Sequence, residues 1–299
     1  MEESRIQKNE YREGLIYVLV CQFLWGFLPI YWQSLLPIES WKIILYRIFT
    51  MFICSYAFAR FKYSREVVWA PMKDKKTMLK SFAAGLVLTV NWSVYIWAMT
   101  TGRMVQSSIG YYIEPLVICA FGIVLFKEKL TKYNLTAMAF ALVAIVIILV
   151  HYAQLPGVAL GLAFSWAVYS AIKKASALPP SIALVYETMP FAVIAVFAIL
   201  YIEGKGIGAI SVGAPRQYAM MWASGLMTFI PIAIFGYAAK KTTLLVIGLT
   251  QYISPTITLL LGIFMFHEPI DRVQVLAFCI IWTGLAVFTY GEAKRLKSR

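Results

Sequence analysis

The sequence predicts an all-α membrane protein, with ten transmembrane helices arranged as two inverted five-helix repeats. Three observations carry that expectation. Of 299 residues, 61% are hydrophobic and only 14% are charged, against about half and about a quarter in soluble domains. The apolar residues fall into ten runs, most of them near the about 20 residues that a helix needs to cross hydrocarbon. The chain also repeats itself: "YYIEPLVICAFGIVLFKEKL" at 111–130 meets "QYISPTITLLLGIFMFHEPI" at 251–270, an offset of 140 positions.

Taken in order, the first span covers 14–34. Residues 1–13 before it are polar and no small-residue cleavage site follows, so it reads as a retained span rather than a removed leader. The second, 40–60, carries Arg47 within "LYRIFT". A basic connection, 61–78, leads to the aromatic third span, 79–100, with Asn91 and Trp92. The fourth, 104–126, holds Glu114 and Pro115 in an otherwise apolar run, and the fifth is 133–152. The sixth, 157–172, is short, so a lysine at its end is expected to snorkel. It opens on "GVALG", a small-xxx-small pattern that suits close packing within the bundle or in a homodimer. The seventh, 181–202, carries Glu187 in "VYETMP". The segment "EGKGIGAISVGAP" from 203 reads as a flexible external loop, because no strand precedes its glycines and no Gly-Lys-Ser/Thr follows. Spans eight to ten are 217–239, 243–266 and 271–290.

Net charge is +13. The lysines and arginines sit in short connections, so orientation in a bilayer explains them and nucleic acid does not. One connection alone holds Arg60, Lys62, Arg65, Lys73, Lys75, Lys76 and Lys80, whereas all the opposite connections together hold Lys42, Arg103, Lys205, Arg216 and Arg272. Basic residues stay on the cytoplasmic side, so both termini are expected in the cytoplasm of a multi-pass cell-membrane protein.

The offset of 140 recurs along the chain: "AAGL" at 83–86 meets "ASGL" at 223–226, Tyr46 meets Tyr186, and Trp25 meets Trp166 with one residue of slippage. The chain therefore divides into residues 1–152 and 153–299. Five spans per half is an odd number, so the second half enters the membrane from the other side. Inverted repeats of this kind are common in secondary transporters, where the site lies near the midplane between the halves.

Candidate site residues follow from polar groups inside spans. On the fourth helix Ser107, Gly110, Tyr111, Glu114 and Ile118 share a face, and on the ninth Thr250, Gln251, Ser254 and Thr258 do. A carboxylate at the bilayer centre costs about 2.5–3.5 kcal/mol even on gentle scales, so these faces should look into the bundle. Arg47 and Glu187 join them at equivalent positions of the halves, and Arg47 is expected to pair with Glu114 or Glu187, structurally or functionally. Trp25, Trp92, Tyr95, Tyr111 and Tyr112 lie deep in their spans and would suit an aromatic or amphipathic solute. Trp32 and Trp41 read as interfacial anchors. Pro115 and Pro255 should bend their helices beside the polar faces.

Four segments, "WGFLPIYWQSL" at 25–35, "ESWKIILYRI" at 39–48, "NWSVYIWAMTTGRMVQSSIGYYIEPL" at 91–116 and "GLTQYISPT" at 248–256, resemble the RarD family. That family is a branch of EamA-type transporters in the drug/metabolite transporter superfamily. The resemblance covers essentially the whole chain. It implies ten spans, two EamA repeats and an inner-membrane carrier, and family members are often labelled chloramphenicol-sensitivity proteins. Arg47, Glu187, Gln251 and Tyr252 match the family pattern. The family usually has Asn-Pro where this chain has Glu114-Pro115, so an ionisable group replaces a neutral amide.

The expected function is secondary transport of a small organic solute, a metabolite or a drug such as chloramphenicol, by alternating access and in the export direction. Glu114 is the candidate for proton coupling. The alternatives are an uncoupled facilitator or channel, and a membrane-embedded enzyme. The two histidines, His151 and His267, lie at span ends and the four cysteines sit apart in apolar runs, so no catalytic cluster, metal or cofactor is expected.

Overall fold

The structure is a computed structural model that describes residues 2–100, 104–153, 157–267 and 271–298. Arg103, Glu268 and Arg299 lie outside these, as do the side chains of Arg5 and Ser107. Every described element is helical: α1 (Glu2–Gln33), α2 (Ser40–Lys62), α3 (Arg65–Trp69), α4 (Lys75–Thr100), α5 (Met104–Phe126) and α6 (Lys132–Tyr152). They continue with α7 (Gly157–Ala175), α8 (Pro180–Gly204), α9 (Pro215–Lys241), α10 (Leu244–Thr250), α11 (Ile253–Phe264) and α12 (Arg272–Ser298).

Each predicted span coincides with helix. Among the described residues, eight segments are long and apolar enough to cross a membrane: in α1, α2, α5, α6, α8, α9, α10–α11 and α12. α4 and α7 fall outside that group. α4 opens on Lys75, Lys76 and Lys80, and α7 has only 19 residues and ends on Lys173 and Lys174. α1 extends through the polar start of the chain to Glu2, so that segment is helical as well.

The helices form a bundle in which α1 packs on α9 and α11, α2 on α8 and α9, α4 on α7 and α8, α5 on α7 and α10, and α6 on α12. Side-chain links define two ends. At the first, Tyr11 donates to the Glu292 carboxylate at 2.6 Å, Lys62 Nζ meets the Tyr237 hydroxyl at 3.3 Å, and Lys241 pairs with Glu13. At the second, Gln217 donates to the Leu36 carbonyl at 2.6 Å and His151 meets Asp271 at 2.7 Å.

The repeated glycines have a physical reason. A Cβ on Gly85 would stand 2.0 Å from the Glu187 carbonyl oxygen, and one on Gly225 would stand 2.2 Å from the Met51 nitrogen. Backbone-to-backbone approach of α4 to α8, and of α9 to α2, is possible only without a side chain there. The repeat also reaches backbone conformation, because Lys127 and His267, 140 positions apart, both have positive φ, 51° and 53°.

One expectation is corrected and two others gain detail. The connection after α8 is not a free loop: the Glu203 carboxylate accepts from the Ala209 amide at 2.7 Å and the Tyr46 hydroxyl at 2.6 Å, and Ala209 is buried. The connection after α2 contains α3 and a 3-10 turn, Ala70–Lys73, tied to α8 by the Tyr186 hydroxyl on the Val68 carbonyl at 2.7 Å. In the "GVALG" stretch, Gly157 and Gly161 face open space, while Val158, Ala159 and Leu162 turn into the bundle.

Candidate functional site

The ninth predicted span breaks into α10 and α11 at Gln251–Tyr252, one turn before Pro255. A proline ring clashes with the carbonyl four residues earlier and cannot donate to it, and that carbonyl belongs to Gln251. Pro115 lies at the same place in the repeat, yet α5 continues through it. The start of α10 is held by Glu128, whose carboxylate accepts from the Leu244 and Leu245 amides at 2.8 and 2.9 Å. Lys174 reaches the same carboxylate at 3.3 Å. Gly248 then lets α10 touch α5, since a Cβ there would lie 2.6 Å from the Pro115 oxygen.

Beside this break lies a cavity of about 480 Å³. Its lining residues come from α1, α2, α4, α5, α7, α11, α12 and the α10–α11 break. They occupy the middle of the bundle and the half nearer the second end. Nine of the eleven sequence-predicted site residues line it. They are Glu114, Gln251, Ser254, Tyr111, Tyr112, Trp25, Arg47, Asn91 and Trp92. Glu114 is 6% exposed, and the Gln251 side-chain amide donates to its carboxylate. That contact joins α5 to the break across the two halves of the chain. The Gln251 Oε1 is buried without a hydrogen-bond partner among the described residues.

Arg47 departs from expectation. It forms no ion pair with Glu114 or Glu187 among the described residues. Its guanidinium instead lies 3.9 Å from the Trp92 ring centroid and 5.2 Å from that of Trp32, and its Nε is buried without a hydrogen-bond partner. The negative face of an indole stabilises a desolvated guanidinium by about 2 kcal/mol, which explains how it stands there without a carboxylate. Trp32 is therefore a wall of the cavity rather than only a boundary anchor.

Glu187 is corrected more strongly, because it does not line the cavity. It is 2% exposed, accepts from Lys173 Nζ at 2.9 Å and from the Tyr169 hydroxyl at 3.0 Å, and lies toward the first end. Lys173 does not snorkel. α7 runs three residues beyond the predicted span, which turns that ammonium into the bundle. Tyr252 is also behind the cavity wall, with its hydroxyl on the carbonyl of its repeat counterpart, Tyr112, at 2.9 Å. Asn91 donates to the Leu162 carbonyl at 3.0 Å and to Ser165 Oγ at 2.8 Å, so it fixes α4 on α7 as well as facing the space.

The lining also includes Gln22 and Trp166. Among the described residues, Gln22, fully buried, has neither amide atom hydrogen-bonded, and Trp166 Nε1 has no partner. A glutamine in the run "LVCQFLW" is the same signal that singled out Glu114: a polar group inside a span. Trp25 and Trp166, matched in the repeat, meet edge to face at 5.4 Å.

The chain matches the EamA-like transporter family over residues 12–150 and 156–290. It is 35% identical to the uncharacterized transporter YojE of Bacillus subtilis, over 97% of both chains. It is 30% identical to protein RarD of Streptomyces exfoliatus, covering 98% of this chain and 94% of that one. The chloramphenicol-sensitive protein RarD of Pseudomonas aeruginosa is 22% identical over 96% of this chain and 97% of its own. A solved crystal structure, 17% identical, superposes with a TM-score of 0.69 over 93% of this chain and 97% of that chain, which shows the fold alone.

Proposed function

The chain belongs to the EamA-like transporter family, in its RarD-type branch, and from that premise we propose that it is an alternating-access carrier exporting a small organic solute across the cytoplasmic membrane. At the coarser level it is a multi-pass membrane transporter of the drug/metabolite type, in a family of transporters rather than enzymes.

The observation that carries the proposal is the cavity shared by both halves, placed toward the second end while the first end is closed. Closure there comes from the buried Lys173–Glu187 pair, from Glu128 between Lys174 and the start of α10, and from Lys240 on the Leu178 carbonyl. A permanently open channel would need a path through that end, so the closed end favours a carrier.

The helix contacts support two inverted repeats, 1–152 and 153–299, with ten spans. Exchanging the halves maps α1 on α9 to α7 on α4, α2 on α9 to α8 on α4, and α5 on α7 to α11 on α1. The pairs α2–α8, α6–α12 and α5–α10 map onto themselves. α1 starts at the first end, whereas α7 finishes there with Lys173 and Lys174, so equivalent helices run in opposite senses. The first end also gathers Lys62, Lys240, Lys241 and Arg295, which supports a cytoplasmic location for it and for both termini. In that orientation the structure corresponds to an outward-facing state.

Within this reading Glu114 couples transport to protons: it joins the halves through Gln251, and an ionisable group there can take up and release a proton as each side opens. The solute belongs to the class of small amphipathic metabolites and drugs, of which the chloramphenicol in one relative's name is an example. The test is untargeted metabolite profiling of cells and medium with and without the gene, followed by uptake of the responding compound into proteoliposomes. Transport requires a compound that accumulates in cells lacking the gene and moves unchanged into proteoliposomes. A compound that reaches the vesicle lumen chemically altered, or no difference at all, contradicts it.

A further inference from the structure

Among the described residues, Arg47 is the one basic side chain lining the cavity and Glu114 the one acidic side chain. Gln251 engages the carboxylate. The guanidinium has no anion, and its Nε, although buried, has no acceptor. Aromatic faces soften the cost of such a group, but they leave its hydrogen-bond donors unused. A guanidinium is shaped to grip a carboxylate through two parallel hydrogen bonds. An unused fork lining a cavity of drug-like size is suited to an oxyanion.

The walls around it are flat. Trp92 and Trp32 flank the guanidinium, Tyr95 and Tyr111 sit edge to face at 6.2 Å, and Trp25 and Trp166 belong to the same lining. Among the described lining residues, the buried Gln22 amide, Trp166 indole nitrogen and Gln251 oxygen all lack partners. These atoms would meet one hydrogen-bonding substituent. A second acid group on the solute would have to share the space with Glu114.

We propose that the transported solute is an organic monoanion: a carboxylate carried on a flat aromatic ring system, with its carboxylate on Arg47, its ring between the tryptophans and a polar substituent toward Gln22. This rests on the transport reading and names its substrate class.

The test uses the purified full-length chain in detergent and three probes of nearly equal shape: naphthalene-2-carboxylate, naphthalene-2-carboxamide and 2-naphthylmethylammonium. Binding is measured by isothermal titration calorimetry. The acid should bind at least about tenfold more tightly than the amide, a difference of about 1.4 kcal/mol, and the ammonium most weakly. This comparison needs no mutation. Arg47→Gln should then bring the acid-to-amide ratio close to one while the amide binds as before, and Arg47→Lys should keep most of the preference. Amide or ammonium binding as tight as the acid overturns the proposal. So does the absence of binding by all three probes at millimolar concentration, or an unchanged ratio in a folded Arg47→Gln protein. If profiling instead finds a neutral or cationic solute moving, transport stands and this assignment fails. If the acid binds but no solute moves, the assignment of the site stands and the transport reading fails.

Discussion

Replacing Glu187 alone should unfold much of what holds the first end together. Its carboxylate lies 2.9 Å from Lys173 Nζ, and both side chains are 2% exposed. Neither charge can turn to water without moving α7 or α8. Breaking a buried pair by removing one partner costs about 3–5 kcal/mol, because the other charge stays buried and uncompensated. The Tyr169 hydroxyl, 3.0 Å from the second carboxylate oxygen, also loses its acceptor, worth about 1–3 kcal/mol more if nothing replaces it. Glu187→Leu should therefore fall at the top of the 3–5 range or above, and Glu187→Gln, which keeps an acceptor for Tyr169, near its bottom. These are large fractions of the about 5–15 kcal/mol that holds a typical domain folded. Replacing both partners with apolar residues of similar volume, Lys173→Met with Glu187→Leu, removes the stranded charge and leaves only the Tyr169 hydroxyl without its acceptor, so the loss should fall to about 1–3 kcal/mol. The assay is equilibrium unfolding in mixed micelles by sodium dodecyl sulfate, followed by far-ultraviolet circular dichroism, as a double-mutant cycle. Single variants within about 1 kcal/mol of the parent would show that water reaches the pair. A double variant whose loss equals the sum of the singles would show that the two charges do not act on each other. Either result refutes the reasoning.

Other consequences are smaller in scope. Gly248→Leu should separate α10 from α5 and cost at least the about 1–3 kcal/mol typical of overpacking, because a Cβ already falls 2.6 Å from the Pro115 oxygen. Gly157→Ala, in open space, should change thermal stability by no more than about 1 kcal/mol, and equal losses at both positions would contradict the close approach. Glu114→Gln and Glu114→Asn should keep solute binding but remove the response of proteoliposome transport to a pH gradient. If both variants respond as the parent does, Glu114 is not the coupling group. Reporter fusions after Ala70 and Arg299 should read cytoplasmic and one after Gly208 external. A reversed result at any of them overturns the span count or orientation.

The helices were legible because the bilayer demands long apolar runs, and that demand is written residue by residue. The cavity was legible for a related reason. A polar group inside such a run has few places to go, so Glu114, Gln251 and Arg47 pointed inward before any contact was known. What the sequence did not reveal was who meets whom. Arg47 was expected to find a carboxylate, because opposite charge is the obvious partner, yet indole faces serve it instead. Lys173 was placed just beyond a span and expected to reach for water. Three more helical residues bring it inside to Glu187. Pro115 and Pro255 look alike in sequence. α5 runs through one and the helix breaks before the other, beside an α10 that Glu128 caps from a distant part of the chain, and local pattern contains no such contact.

Alternating access through the shared cavity is tested most directly at Ser254, which lines it beside the α10–α11 break. A Ser254→Cys protein, with the partly exposed Cys54 and exposed Cys279 replaced by serine, can be treated with a membrane-impermeant thiol reagent in right-side-out and inside-out vesicles. The account predicts labelling from both sides, faster from the periplasmic or external face toward which the cavity lies. Labelling from neither side, or from one side only under every condition, would contradict it.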